Sequence, residues 1–102
     1  MYYIYMLRCE DNSIYTGITT DIEKRMNEHF TRNEKCAKYT MTHHAKKLER
    51  YFTAENRKSA SKLEYHIKRL KKADKESLIK EPKMIGALLG DKVDEGDYSV
   101  GE

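Results

Sequence analysis

Apolar and polar positions alternate at the start of the chain and then change period. Within Tyr3–Gly17 (YIYMLRCEDNSIYTG), two short runs rich in aromatic and β-branched residues are split by Glu10-Asp11-Asn12-Ser13. Such runs suit a pleated, half-buried surface, and an Asp-Asn-Ser cluster turns a chain, so the pattern predicts a β-hairpin. Side chains alternate across a sheet, so register decides which residues share a face. A pairing of Tyr5 with Gly17 and of Leu7 with Tyr15 puts Tyr3, Tyr5, Leu7, Tyr15 and Gly17 on one face. Tyr2, Ile4, Met6, Ile14, Thr16 and Ile18 then form the other, more aliphatic face, which predicts Ile4, Met6, Ile14 and Ile18 buried under helices. A glycine beside two tyrosines leaves room for a ligand, although tyrosines are also simply common in strands.

The period then becomes helical. Thr20 with Glu23 three residues later makes a capping box, and Ile22, Met26 and Phe30 supply a buried stripe. Arg25 and His29 form a second row about 60° round that helix, at the edge between core and solvent. Residues 31–46 hold no steady period and read as a loop with one helical turn. Leu48–Thr53 alternates and reads as a third strand, enough with the hairpin for a small sheet. Asn56 or Ser59 caps a further helix to about Lys72, with Ala60, Leu63, Ile67 and Leu70 as its stripe. A short amphipathic segment, Lys75–Lys80, precedes Pro82, and Met84–Leu89 fits one more turn. The expected fold is α+β: a three-stranded antiparallel sheet, the N-terminal hairpin plus a third strand, flanked by helices. One domain over residues 1–89 is followed by an acidic, Gly-rich tail, 90–102, that reads as disordered.

Length and charge narrow this picture. A chain of 102 residues suits one domain with a modest core. No run is long and apolar enough to cross a membrane, and a start of Met-Tyr-Tyr-Ile-Tyr without a basic leader makes a cytoplasmic protein the default. Cys9 and Cys36 have no metal or disulfide spacing and read as free thiols; His43 and His44 add no standard zinc pattern to Cys36. The net charge is +3, but residues 90–102 hold five acids and one lysine, leaving 19 basic and 12 acidic residues in the body. A basic body suggests a polyanion partner, although many charged surfaces are only solvated. Lys38 beside Tyr39, with Lys35, Lys46 and Lys47 nearby, suits a phosphate backbone and a stacked base. Glu64 lies next to the apolar stripe of its helix, and on spacing alone it also fits an i,i+4 ion pair with Lys68.

Tyr3-Ile4-Tyr5 and Tyr15-Thr16-Gly17 resemble the two halves of the GIY-YIG nuclease signature, with Tyr3 at the first Gly and Thr16 at the second Ile. With YIYML, YTGIT, Asp21, Arg25 and His29 in order, roughly residues 2 to 80 resemble the short stand-alone GIY-YIG proteins of bacteria. The resemblance implies a GIY-YIG-like fold and hydrolysis of phosphodiester bonds in nucleic acid, expected to be DNA in repair or processing, with one Mg²⁺ or Mn²⁺ ion. It implies that Glu64, in LEYHIKRL, binds the metal, that Tyr5 positions or deprotonates the water, that Arg25 binds phosphate and that Tyr15 shapes the site. Gly17, Lys38 and Tyr39 are the expected substrate contacts.

His29 stands where related nucleases often have a tyrosine. Its ordinary pKa near 6.5 makes it a better base at neutral pH than free Tyr near 10, so it is expected to act as base or relay with Tyr5. Ile18 replaces a lysine common in the family, and residues 70–80 (LKKADKESLIK) contain no asparagine. The alternative is a nucleic-acid binding module that keeps the fold without catalysis. In either case Tyr5, Tyr15, Arg25, His29 and Glu64 are expected to converge on one concave patch.

Overall fold

A computed structural model of the protein describes residues 1–31 and 35–101. The hairpin forms from β1 (Tyr2–Cys9) and β2 (Ile14–Thr19), with Tyr5 opposite Gly17 and Leu7 opposite Tyr15. Its turn is held locally. Asn12 takes a left-handed φ of 71°, which a short polar side chain tolerates, and the Asp11 carboxylate accepts from Ser13 N and Oγ at 3.1 and 2.6 Å.

The third strand, β3 (Ala45–Ala54), is longer than the alternating stretch Leu48–Thr53 and pairs antiparallel with β1. This makes β1 central and leaves β2 at one edge, in the order β2-β1-β3-β4. The sheet therefore has four strands, which corrects the expected three. The extra strand, β4 (Ser99–Val100), adds to β3 through Phe52–Val100 and Thr53–Ser99 pairs. It comes from the segment read as a disordered tail. Val93 is buried in the core and the Tyr98 hydroxyl donates to Ser59 O at 2.7 Å, so the described part of that segment, to Gly101, is packed. Two apolar anchors outweigh its acidic composition.

A central strand needs apolar side chains on both faces, and Ile4, Tyr5, Met6 and Leu7 are all buried. On the aliphatic face, Ile4, Met6, Ile14 and Phe52 pack against Ala60, Leu63, Ile67, Leu78 and Leu89, with Ile18 half-buried at the margin. These come from α3 (Arg57–Lys68), α4 (Lys72–Lys80) and α5 (Ile85–Leu89). On the tyrosine face, Tyr5 and Leu7 pack with Met26, Ala45, Ile22 and Phe30 under α1 (Ile22–Phe30). Asp21 caps α1, its side chain accepting from Lys24 N at 3.1 Å, rather than the expected Thr20; one residue's difference moves the cap to the stronger acceptor. Asn56 caps α3 through Ser59 N, as expected for one of its two candidates. The expected loop 31–46 contains α2 (Lys38–Thr42); its residues 32–34 lie outside the described residues.

Arg8 fastens the far end of β1. Its guanidinium meets Glu49 of β3 at 2.9 Å and Glu76 of α4 at 2.5 Å, and reaches Asn12 Oδ1 in the hairpin turn at 3.1 Å.

Thr16 Oγ1 on the aliphatic face is the one buried side-chain polar atom without a hydrogen-bond partner among the described residues. A buried hydroxyl with no partner costs about 1–3 kcal/mol. Thr16→Val keeps the shape and removes that cost. It should raise stability by about 1 kcal/mol in urea unfolding, and a variant less stable than wild type would show that Thr16 Oγ1 is satisfied in solution.

Candidate active site

The tyrosine face carries a line of polar side chains through a dry interior. Tyr5 is reached from α1 by Arg25 and His29, one turn apart on the same side of that helix. The Tyr5 hydroxyl lies 2.8 Å from His29 Nε2, His29 Nδ1 lies 2.7 Å from Thr40 Oγ1, and Thr40 Oγ1 lies 3.1 Å from Ala37 O. A carbonyl can only accept, so the Thr40 hydroxyl donates to Ala37. Thr40 Oγ1 therefore accepts from Nδ1–H of a neutral His29, and Nε2 is left to accept from the Tyr5 hydroxyl. Arg25 Nε donates to the Tyr5 oxygen from 3.3 Å. All the donors point the same way, from Arg25 through Tyr5 and His29 to Thr40.

The electrostatics match this direction. Burial pushes the Tyr5 phenol up to about 12, against the opposing hydrogen bond from Arg25. Burial, and then the Arg25 charge, push His29 down to about 4. Both groups are held neutral at pH 7, and the proton between them rests on Tyr5. His29 was expected at the border of core and solvent, but it is fully buried. The helix alone would leave it at the margin; Tyr5, Tyr15 and Thr40 of α2 close over it.

Gly17 makes this possible. A Cβ there would stand 2.5 Å from the Tyr5 hydroxyl oxygen and 3.2 Å from the Tyr15 ring. The room that a glycine was expected to leave for a ligand is filled by Tyr5 itself. Tyr15 is half-buried, 5.6 Å from the His29 ring and stacked on Tyr39 at 5.5 Å. Tyr39 stacks in turn on His43 at 4.1 Å, and His43 Nδ1 meets Asp11 of the hairpin turn at 2.5 Å. Tyr39 is thus engaged by protein rings, while Lys38 beside it is exposed. Arg25 is also committed to Glu28 at 2.8 Å and to Lys35 O at 2.6 Å.

Glu64 approaches from the other side of the sheet. Its helix, α3, packs on the aliphatic face beside the edge strand β2, and Glu64 comes near enough to add to the raised pKa of Tyr5. Its side chain is 23% exposed and pairs with Lys68 at 3.4 Å, the i,i+4 pair that the spacing allowed. Lys68 Nζ also lies 5.3 Å from the centre of the Tyr15 ring. Lys75 of α4 is held below its ordinary pKa by burial and by Lys68. Lys68 thus sits against Glu64, with Lys75 near Lys68, while Ile18 faces the aliphatic core.

Tyr5, Tyr15, Arg25 and His29 therefore form one cluster, and Glu64 joins it at the open edge of β2. Clefts of about 410 and 440 Å³ open elsewhere, beside Thr53–Asn56 and Ser59 and beside Gly86 and Gly90–Glu95. Thr40, Lys68 and Lys75 were not singled out as site residues from sequence. Lys68 had a signal, its spacing from Glu64; Thr40 had none, because only folding brings α2 to α1.

Mg²⁺ keeps most of its waters and needs only one or two carboxylates. Glu64 fits that requirement: it is partly wet, and its ion pair is with a lysine that is itself 46% exposed. Among the described residues no group of three or more His, Cys, Asp or Glu could hold a metal, so a bound ion would rest on Glu64, water and substrate oxygens.

Three comparisons bear on this arrangement. The family model described as the GIY-YIG catalytic domain matches residues 1–77. A UPF0213 protein of Fusobacterium nucleatum is 49% identical over 81 residues, 79% of each chain. One of Clostridium perfringens is 42% identical over 80 residues, 78% of this chain and 83% of that protein. The solution NMR structure of a UPF0213 protein of Bacillus halodurans superposes with a TM-score of 0.50 at 36% identity, covering 78% of this chain and 84% of the other.

The His29 geometry sets a pH dependence. An unfolded imidazole takes up its proton near pH 6.5, the folded one only near 4. Between those values the unfolded state binds more protons, so stability falls as pH drops through that window, by roughly 3 kcal/mol. Urea unfolding at pH 7, 5 and 4 should show this loss in wild type and less of it in His29→Gln. NMR titration should keep the His29 ring neutral, with the proton on Nδ1, down to about pH 4; a midpoint near 6.5 would contradict the buried chain.

Proposed function

This chain belongs to the GIY-YIG nuclease family, and from that premise we propose that it is a metal-dependent endonuclease that hydrolyses phosphodiester bonds in DNA, in repair or processing. The observation that carries the reading is the oriented chain from Arg25 through Tyr5 and His29 to Thr40, with the Glu64 carboxylate close enough to Tyr5 to raise its pKa.

The Tyr5 oxygen is buried in the free protein, so the attacking water reaches it only as substrate draws Arg25 onto its phosphate. As the water oxygen bonds to phosphorus, its proton passes to Tyr5 while the Tyr5 proton passes to His29 Nε2. The bond to the leaving oxygen breaks, and that oxygen takes a proton from solvent. Tyr5 never has to become a free phenolate, which its pKa near 12 would make costly. His29 is a weak base in the free protein partly because of the Arg25 charge. A phosphate beside Arg25 offsets that charge and raises His29 toward neutrality, so the base strengthens when substrate is in place. Arg25 holds the phosphate charge and positions Tyr5 with the same guanidinium. Glu64 would hold the divalent ion, Mg²⁺ or Mn²⁺, which when bound withdraws charge from the phosphate. Lys68, beside Glu64 and the Tyr15 ring, supplies positive charge that the family's common lysine, here Ile18, does not.

A second reading, a binding module without catalysis, is favoured by the Glu64–Lys68 ion pair, which occupies the metal carboxylate in the free protein. The two readings part on one substitution. Glu64→Gln keeps the shape and removes the charge. For the enzyme it should lower Mg²⁺-dependent cleavage of DNA by at least about a hundredfold, roughly 3 kcal/mol of transition-state stabilisation, while affinity measured in chelator stays equal or rises. Tyr5→Phe should slow cleavage with little change in affinity. Cleavage by Glu64→Gln at the wild-type rate removes the metal assignment. Binding without cleavage of DNA or RNA by wild type, in Mg²⁺ or Mn²⁺, leaves the binding module.

A further inference from the structure

The helix that carries Glu64 has a second, outward surface. Lys58, Lys62, Tyr65 and Arg69 recur at intervals of four, three and four, so they fall in one row along α3 and its C-cap. Lys58, Lys62 and Arg69 are exposed, and no acidic residue shares the row. At about 1.5 Å per residue the row runs for about 16 Å. Tyr65 is 55% exposed, the one aromatic side chain so open among the described residues. The Arg69 guanidinium lies over its ring, 5.3 Å from the centre, and the His66 ring meets it edge-on at 5.0 Å.

Two physical details argue against an ordinary solvated face. The first turn of α3 contains Arg57 and Lys58 and no acid, which is the wrong sign for the positive end of a helix. The cations therefore cost the helix stability that a bound anion would return. An exposed tyrosine between cations also offers a π-face for a base while its neighbours hold phosphates.

The geometry points to this row as the track for a single-stranded nucleic acid leading to or from the Glu64 edge, with phosphates on Lys58, Lys62 and Arg69 and one unpaired base on Tyr65. Lys68 lies on α3 between the row and Glu64 and joins the two. A duplex keeps its bases stacked and could use only the cations, so Tyr65 selects the single strand. This track rests on the nucleic-acid reading above but not on catalysis.

The test is binding of a fluorescent oligothymidylate in chelator, by anisotropy over a range of salt. Each phosphate contact to a single strand contributes about 0.7 to the logarithmic salt slope. Combined Lys58→Gln, Lys62→Gln and Arg69→Gln substitutions should flatten the slope by roughly two. Tyr65→Ala should weaken binding about tenfold with the slope nearly kept, and Tyr65→Phe should restore it. Circular dichroism confirms the fold of each variant. An unchanged slope in the combined variant overturns the track, and an equal effect of Tyr65→Ala on a duplex of the same length overturns the single strand as occupant. A flattened slope with no cleavage by wild type supports the track and removes the nuclease. Glu64-dependent cleavage with an unchanged slope removes the track alone.

Discussion

The Tyr5 ring lies where the Cβ of any other residue at position 17 would stand, 2.5 Å from the hydroxyl oxygen. That contact sets the rest of the site. It lets a central-strand tyrosine lie against the edge strand and turn its hydroxyl toward α1. His29 and Arg25 then reach it from successive turns of that helix. The contact requires one register, because a slip of one residue would replace glycine with a side chain and carry Tyr5 to the aliphatic face. The pairing that buries Ile4 and Met6 is thus the pairing that assembles Tyr5, His29 and Arg25, and core stability and site geometry share one constraint.

The site divides into a dry half and a wet half. His29 and Thr40 are fully buried, and Tyr5 is 1% exposed. Low dielectric keeps both titratable groups neutral and fixes the direction of each hydrogen bond. Glu64 and Lys68 are partly solvated at the β2 edge. The proposed exchange of Lys68 for a hydrated cation at Glu64 needs water and room, whereas the proposed proton relay needs neither. Placing β2 at the edge of the sheet brings these two environments together across a single strand.

Two polar fasteners lie away from this line. Arg8 ties β1 to Glu49 of β3 and Glu76 of α4, and both carboxylates are held below their ordinary pKa, Glu76 chiefly by its hydrogen bond to Arg8 and Glu49 by hydrogen bonds from Arg8 and Lys47 against its burial. The Tyr15–Tyr39–His43 stack ties α2 to the hairpin turn through Asp11. The stack matters for the site because α2 brings Thr40, and Thr40 orients His29. Without a partner on Nδ1, either tautomer of His29 would serve and the hydrogen-bond chain would have no direction.

The sequence by itself determined the hairpin, the two faces of β1 for a pairing of Tyr5 with Gly17, and the apolar stripes of α1 and α3, and the fold adopts that pairing. These follow from periods of two and 3.6 that hold over several residues, and only one register sets Tyr5 against Gly17. Its resemblance to the GIY-YIG signature also singled out Tyr5, Tyr15, Arg25, His29 and Glu64, and the fold gathers the first four around the Tyr5 and His29 rings. It left Glu64 open between a metal ligand and an ion pair with Lys68, and the pair is present in the fold. Local pattern was weakest where few residues carry the signal: Thr20 and Asp21 are adjacent candidates for one cap, and β4 is two residues in an acidic segment. Only the tertiary structure decided that His29 is buried, that its partner is Thr40, that Tyr39 is taken up by Tyr15 and His43, and that Gly17 makes room for Tyr5 rather than for a ligand. Each of these depends on side chains from separate elements meeting in space, and a periodic pattern records which way a side chain points on its own element but not what comes to cover it.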